Sequence, residues 1–178
     1  EALIKGDPEN VKLLLMASQG FNAYALAFAE DDSVERARAF YLRGRDYGMR
    51  VFTRNPRIRE ALDKDVATFQ AALHTLSKDD VPAVFWTAFG WGSYINMTRS
   101  DVGAVADLPK VLAMMEFVRQ TDPTFYYGGP YLILGTIEGS MPQVLGGRPE
   151  KAREYFERAL EVNRGKFLLT YVYFAKTY

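Results

Sequence analysis

Apolar residues recur at helical spacing along most of the chain, and no segment alternates in the way a half-buried strand would. The first helix is predicted over residues 9–30, with Leu14, Phe21 and Phe28 on one side. A capping box of Asp32 and Glu35 predicts the start of a second helix. The other predicted helices cover about residues 33–52, 56–76, 82–97, 108–120, 125–141, 149–163 and the chain from 166 onward. The pattern predicts an all-α fold.

Small and aromatic residues repeat in a way typical of tetratricopeptide helix pairs. In the first pair the matching positions are Phe21, Tyr24, Ala25, Phe28, Ala37, Tyr41 and Gly44. The last pair repeats the second half of the motif as Ala152, Phe156 and Ala159, while the middle pair, with Trp86, has a longer turn. We therefore expect an irregular tetratricopeptide-like solenoid of helical hairpins, and one domain over residues 1–178. The sequence starts at Glu1 without a methionine and stops inside a predicted helix, so we expect it to be truncated at both ends.

Charge is distributed unevenly along the chain. Only eight charged residues fall between residues 81 and 147, and residues 81–98 and 124–137 carry none. The first uncharged run is long enough to suggest a membrane span. However, it contains Pro82, Gly90, Gly92 and Asn96 and lacks an aliphatic run, so we interpret it as a buried helix. Such a helix can also form the wall of an apolar pocket.

The overall composition excludes several classes of protein. The 22 Lys and Arg residues balance 22 Asp and Glu residues. A protein that binds nucleic acid by neutralising phosphates normally has a net positive charge, so we expect no nucleic-acid partner. With no Cys and one His, the chain predicts neither a disulfide scaffold nor a metal site, and no cofactor is expected.

Aromatic residues in the charge-poor middle are the best candidates for a ligand site. Trp and Tyr present a large apolar face and one polar tip, which suits a cleft that is apolar inside and hydrated at its rim. The predicted ligand-binding residues are Trp86, Trp91, Tyr94, Asn96, Tyr126, Tyr127, Tyr131 and Glu138. Asn96 and Glu138 would supply orienting polar contacts. The alternative is that the aromatic residues simply build the core, as Trp86 would at its repeat position.

No catalytic constellation is predicted. His74 lies beside an apolar stripe, and no nucleophile or carboxylate is linked to it by spacing. The acidic pairs Asp31–Asp32 and Asp79–Asp80 lie at predicted helix starts, where capping explains them. We therefore predict that the protein is not an enzyme.

Three segments carry a resemblance to a known family. They are DPTFYYGGPYLILG (residues 122–135), LGGRPEKAREYFERAL (residues 145–160) and GKFLLT (residues 165–170). Together with AEDD (residues 29–32), ERARAFY (residues 35–41) and the segment from Trp86 to Asn96, they resemble the T-component family of tripartite ATP-independent periplasmic (TRAP) transporters. Generic tetratricopeptide repeats lack the Gly-Gly-Pro and Leu-Gly-Gly motifs.

The resemblance implies a location and a set of partners. Family members are expected in the bacterial periplasm, often held by a lipid anchor, which here would belong to an upstream segment. The implied partner is the periplasmic solute-binding protein of a TRAP system, and the implied ligand is a small hydrophobic or organic molecule. A homotrimer is also implied.

Two function classes remain open at this point. The first is an accessory component of TRAP transport that binds a ligand in an apolar cleft and docks the solute-binding subunit. The second is a generic helical-repeat scaffold that binds a protein or peptide on its concave face.

Overall fold

A computed structural model describes residues 1–145 and 147–177, apart from the side chain of Leu145. The described residues form helices joined by short turns and contain no strand, which confirms the all-α prediction. The helices are α1 (Ala2–Gly6), α2 (Val11–Tyr24), α3 (Val34–Phe52), α4 (Pro56–Ala61), α5 (Val66–Leu73), α6 (Val81–Met97), α7 (Val102–Ala106), α8 (Leu108–Thr121), α9 (Phe125–Ser140), α10 (Pro149–Asn163) and α11 (Leu168–Thr177). Gly146, which belongs to a predicted turn, and Tyr178 lie outside the described residues.

Local sequence explains most of the helix boundaries. Asn10, Asn55, Asp65 and Asp101 each cap a helix by accepting a backbone N–H with the side chain. The predicted capping box at Asp32 is wrong, because Ser33 caps α3 by accepting from the N–H of Arg36. The apolar stripe predicted for a single helix over residues 56–76 is divided between α4 and α5, and Asp65 starts the second.

The chain forms two compact units, residues 1–114 and residues 115–178, and the division falls within α8. We call them unit 1 and unit 2 and describe each separately. The prediction of one domain for residues 1–178 stays a prediction.

Unit 1 is built around α2, α3 and α6, which approach one another closely. Three polar side chains with no solvent exposure lie at this junction: Ser18, Asn22 and Thr87. The Ser18 hydroxyl donates to the Gly44 carbonyl at 2.7 Å, and Asn22 Nδ2 donates to the Trp86 carbonyl at 2.8 Å. These bonds join α2 to α3 and α6. Gly44, Gly48 and Gly90 leave space for the three polar side chains.

A π-helical turn, Ala25–Ala29, extends α2. Beyond it the chain turns sharply into α3, and the Tyr41 hydroxyl donates to the Glu30 carboxylate at 2.5 Å. Tyr41 itself has no solvent exposure. The bond therefore fixes the connection between the first two long helices of unit 1.

Unit 2 is built from α9 and α10, with α11 packed against them. Its core contains Leu132, Ala152 and Phe156, and Phe167, Leu169, Tyr173 and Phe174 pack against these residues. The rings of Phe156 and Phe174 stack with their centroids 4.9 Å apart. The helix α10 spans the residues predicted for it, and two left-handed residues, Arg164 and Gly165, follow it.

Candidate functional site

The predicted site residues on α6 are of two kinds. Trp86 and Trp91 are buried, with 5% and 6% of their surface exposed. The Trp86 ring meets Phe85 edge-on at 5.0 Å and Phe89 at 5.9 Å. Both tryptophans therefore contribute to the core of unit 1.

Further along α6, Tyr94 is half-buried and Asn96 is exposed. Asn96 Oδ1 accepts a hydrogen bond from Arg99 Nε at 3.0 Å, within one turn of the helix. The Tyr94 carbonyl accepts from the Thr98 hydroxyl. The amide oxygen of Asn96 is therefore already hydrogen-bonded within the helix, and the residue remains accessible to solvent.

The predicted residues of unit 2 begin with an unusual turn at the start of α9. Tyr126, Tyr127 and Gly128 have φ angles of 46°, 60° and 78°. A left-handed conformation costs a non-glycine residue about 1–2 kcal/mol, because its Cβ crowds the following carbonyl. Two consecutive tyrosines in this region therefore make a locally strained backbone, which persists only where the surrounding structure imposes it.

The turn presents its two aromatic rings to solvent. Tyr126 is 37% exposed and Tyr127 is 62% exposed. The Tyr127 ring stacks on Phe167 with centroids 5.1 Å apart, and Tyr126 meets the same ring edge-on at 6.0 Å. We call Tyr126, Tyr127 and Phe167 the three-ring cluster.

Sequence reasoning missed Phe167 as a member of this cluster. Its only signal was its place in the GKFLLT motif, two residues after Gly165. Helical periodicity cannot pair a residue before α11 with a turn that lies 40 residues earlier. The cluster depends on how α9 and α10 fold back on each other.

Tyr131 lies in a different environment, one turn further along α9. It is half-buried, and its ring is 6.2 Å from that of Tyr155 on α10. Tyr131 also contributes, after Glu116, to the raised pKa of Arg119. Arg119 itself binds both carboxylate oxygens of Glu116, and this bond raises the pKa of Arg119 and lowers that of Glu116.

Glu138 is 6% exposed, which is unusual for a carboxylate. Arg148 binds both of its oxygens, with Nε donating at 3.0 Å, and this bond raises the pKa of Arg148. The Arg148 backbone N–H also donates to the Glu138 carbonyl. In the described structure Glu138 therefore joins the end of α9 to the start of α10, and Arg148 neutralises its charge.

The eight predicted residues thus fall into two sets of four, one in each unit. The structure brings Tyr126 and Tyr127 into one exposed cluster, and it places Trp86 and Trp91 in a core. Tyr94, Asn96, Tyr131 and Glu138 each engage other partners.

A second, partly exposed aromatic surface lies on α2, the π-helical turn after it and α3 of unit 1. Its rings follow one another at centroid distances of 5.0 to 6.0 Å. We call this set the aromatic row, and it consists of Phe21, Tyr24, Phe28, Phe40 and Tyr47. Tyr24 and Phe28 are 43% and 68% exposed, although both occupy packing positions of the predicted first helix pair.

Arginines flank the aromatic row. Arg43 lies over the Phe21 ring and Arg50 over the Tyr47 ring, at 5.2 and 5.9 Å from their centroids. The same arginines also pair with Glu1 and Glu9. The row is therefore an exposed apolar surface whose neighbouring cations are partly neutralised within the chain.

Comparison with known proteins identifies the family. A family model described as "TRAP transporter T-component" matches residues 1–178. The chain belongs to the TRAP transporter T-component family. This confirms the resemblance carried by the sequence motifs and assigns the protein to a transport-related family.

A relative of this T-component occurs in Treponema pallidum (strain Nichols), where it is described as an uncharacterized protein. The two are 25% identical over an alignment of 173 residues. The match covers 88% of this chain and 54% of the relative. The chain thus spans about half the length of that relative. Within the described residues, no helix is long and apolar enough for a membrane crossing, and no group of three acidic or His side chains is placed to hold a metal ion.

Proposed function

We propose that this T-component is a periplasmic accessory subunit that binds a small hydrophobic or organic ligand and docks the solute-binding subunit of a TRAP system. Membership of the family supports the association with a TRAP system. The tetratricopeptide-like solenoid, the homotrimer and a lipid anchor on an upstream segment belong to the same proposal.

The observation that carries the ligand-binding proposal is the exposed three-ring cluster. Two of its tyrosines lie in a strained left-handed turn, and local strain of this kind is concentrated at functional sites. The rings also remain accessible, so their apolar faces are available to a planar or aliphatic ligand. Their hydroxyl groups supply polar contacts at the edge of the same surface.

The other predicted residues keep distinct roles in this proposal. Tyr131 would extend the apolar surface along α9, and Glu138 would orient a polar group of the ligand only after partial release from Arg148. Within unit 1, taken by itself, Trp86 and Trp91 would shape the wall of an apolar cleft from within the core of that unit, with Tyr94 and Asn96 nearer to solvent. Each role is testable by a substitution of its own.

The aromatic row supports the docking part of the proposal. An exposed series of aromatic residues with flanking arginines is a composition typical of protein interfaces. The same surface also supports the second candidate, a helical-repeat scaffold that binds a protein or peptide partner without any small ligand. The two candidates differ in whether the purified protein carries a small molecule.

Native mass spectrometry of the purified protein tests the proposal. We expect a bound small molecule on the wild type, loss of this molecule in Tyr127→Ala, and its retention in Tyr24→Ala. Tyr24 is a suitable control because it is an exposed tyrosine of the other unit. Circular dichroism checks that helicity is unchanged.

The same spectra report the oligomeric state, for which we expect a trimer. A pull-down with the solute-binding subunit from the same transport system tests docking. A monomer that carries no small molecule and captures no solute-binding subunit would overturn the transport proposal. Capture of that subunit with no small molecule would instead favour the scaffold.

A further inference from the structure

Asn163 occupies a central position in unit 2. It is the last residue of α10 and is 7% exposed. Its Nδ2 donates to the backbone carbonyl of Tyr127 at 3.3 Å and to the Thr170 hydroxyl at 3.1 Å. One buried amide therefore joins the left-handed turn at the start of α9, the end of α10 and the first turn of α11.

The strained backbone of the described chain is concentrated around this residue. Every described residue with a positive φ belongs to one of two turns. The first contains Tyr126, Tyr127 and Gly128, to which Asn163 is hydrogen-bonded. The second contains Arg164 and Gly165, which directly follow Asn163. The Asn163 side chain thus binds the first turn directly, and the second turn follows it in the chain.

The Asn163 amide has one productive orientation. A backbone carbonyl can only accept a hydrogen bond, so the group that faces Tyr127 must be the N–H donor. Asn163 Oδ1 is buried and has no hydrogen-bond partner among the described residues. A rotated amide would set this oxygen against the Tyr127 carbonyl and lose the bond to it, whereas the Thr170 hydroxyl can serve either orientation because it both donates and accepts.

Close packing holds the turn from the other side. A Cβ atom added to Gly128 would lie 3.2 Å from the Val162 side chain and 3.4 Å from the Ala159 Cα. Gly128 therefore lies directly on α10, one residue away from the carbonyl that Asn163 binds. Packing brings the turn to α10, while the Asn163 hydrogen bond determines the direction of the Tyr127 peptide group.

We propose that Asn163 is a positioning residue that keeps the Tyr126–Tyr127 turn left-handed and so keeps the two rings in the arrangement that binds the ligand. This inference rests on the proposed function, because it assumes that the three-ring cluster contacts ligand. Asn163 acts through the Tyr127 backbone, and its burial keeps it from direct contact with solvent.

The test measures turn geometry and binding separately. Nuclear magnetic resonance couplings of the Tyr126 and Tyr127 backbones report the sign of φ. The probe for binding is 8-anilinonaphthalene-1-sulfonate, a small aromatic anion, and Tyr127→Ala shows whether it contacts the cluster. In Asn163→Leu we expect loss of the positive φ at Tyr127 and about threefold to tenfold weaker probe binding, the range for one lost hydrogen bond.

Two further variants keep the test decisive. Thr170→Val removes the second partner of Asn163 but not the bond to Tyr127, so it should retain the positive φ and the probe affinity. Asn163→Asp places an oxygen opposite the Tyr127 carbonyl at neutral pH. When acid protonates the introduced carboxyl group, its O–H can donate to that carbonyl, and we expect recovery of the turn and of probe binding in this variant alone.

The outcomes separate the inference from the proposed function. If Asn163→Leu and Asn163→Asp keep the left-handed turn at neutral pH, the positioning role of Asn163 is overturned, whatever the protein binds. If the turn is lost while probe affinity stays at the wild-type value, the role of Asn163 in the turn is upheld, and the assignment of the ligand site to the two tyrosines is overturned.

Discussion

Unit 1 and unit 2 use the special properties of glycine in different ways. In unit 1, Gly44, Gly48 and Gly90 lie inside helices, where their missing side chains make room for Asn22 and Thr87. In unit 2, Gly128 and Gly165 lie in turns, where they adopt positive φ angles beside tyrosine and arginine residues that do the same. The glycines of unit 1 allow helices to pack closely, and the glycines of unit 2 allow the chain to change direction in turns.

Because of this difference, we expect the two units to respond to different kinds of substitution. The junction of unit 1 consists of buried groups with no solvent exposure, so it responds to added volume. The turns of unit 2 hold exposed rings on a strained backbone, so they respond to changes in conformational preference. Tight packing is thus the feature of the unit 1 junction, and backbone strain is the feature of the unit 2 turn beside the candidate ligand contacts.

The largest effect is expected at the glycine junction. A Cβ atom at Gly90 would lie 2.6 Å from Asn22 Oδ1, 2.8 Å from the Tyr41 carbonyl oxygen and 3.0 Å from the Arg45 backbone nitrogen. Two of these atoms belong to the backbone and cannot move aside independently. We expect Gly90→Ala to lower the free energy of unfolding by about 2–3 kcal/mol, as measured by chemical denaturation.

Gly20→Ala is the matched control for this change. Gly20 is an exposed residue inside α2, and no atom lies within 4 Å of the added Cβ position. Alanine is favoured over glycine in a helix, so this variant should be more stable than the wild type by about 0.5–1 kcal/mol. Equal effects of the two substitutions would show that the junction is not tightly packed.

At position 127 of unit 2, glycine should give a more stable protein than alanine, which is the reverse of the order expected at position 20. At Tyr127, with φ of 60°, glycine relieves the strain that alanine retains. We expect Tyr127→Gly to be more stable than Tyr127→Ala by about 1 kcal/mol in the same denaturation assay. Both variants lose the stacking on Phe167, so their difference isolates the backbone. A more stable alanine variant would contradict the left-handed turn.

The two units also differ in how far the sequence predicts them. Helical periodicity was sufficient for α6 and α10, because their apolar or amphipathic patterns and their proline starts are local signals. It failed for residues 56–76, where a regular stripe continues across the break before Asp65. The short helices α1 and α7 were missed because five residues carry too little periodicity.

The candidate site was harder to predict for a physical reason. Aromatic composition drew attention to Tyr126 and Tyr127, which are exposed, but it could not separate them from Trp86 and Trp91, which are buried. Exposure depends on tertiary packing, as does the hydrogen bond from Asn163 over 36 positions of sequence. The left-handed conformation of two tyrosines was also unpredictable, since glycine is the residue expected there.

The smallest expected effect concerns the pH dependence of unit 2. Hydrogen bonds from Arg119 lower the pKa of Glu116 in the folded protein, so the folded state binds a proton there less readily than the unfolded chain. Its contribution is therefore fully present above the unfolded pKa, near pH 4.5, and is lost as the pH falls through the lowered folded value. Because the Glu116 side chain is 37% exposed, we expect Glu116→Gln to cost about 0.5 kcal/mol at pH 7.

This stability difference between wild type and Glu116→Gln should shrink steadily below about pH 4.5, since the acid form of the wild type also lacks the charge. Both tryptophans lie in unit 1, so their fluorescence follows that unit, while tyrosine absorbance includes the rings of unit 2. If Glu116→Gln destabilises unit 2 alone, the unfolding transition followed by tyrosine absorbance should shift more than the one followed by tryptophan fluorescence. A difference that stays constant down to pH 3 would rule out the ion pair as its source, and equal shifts of both signals would show that the two units unfold as one.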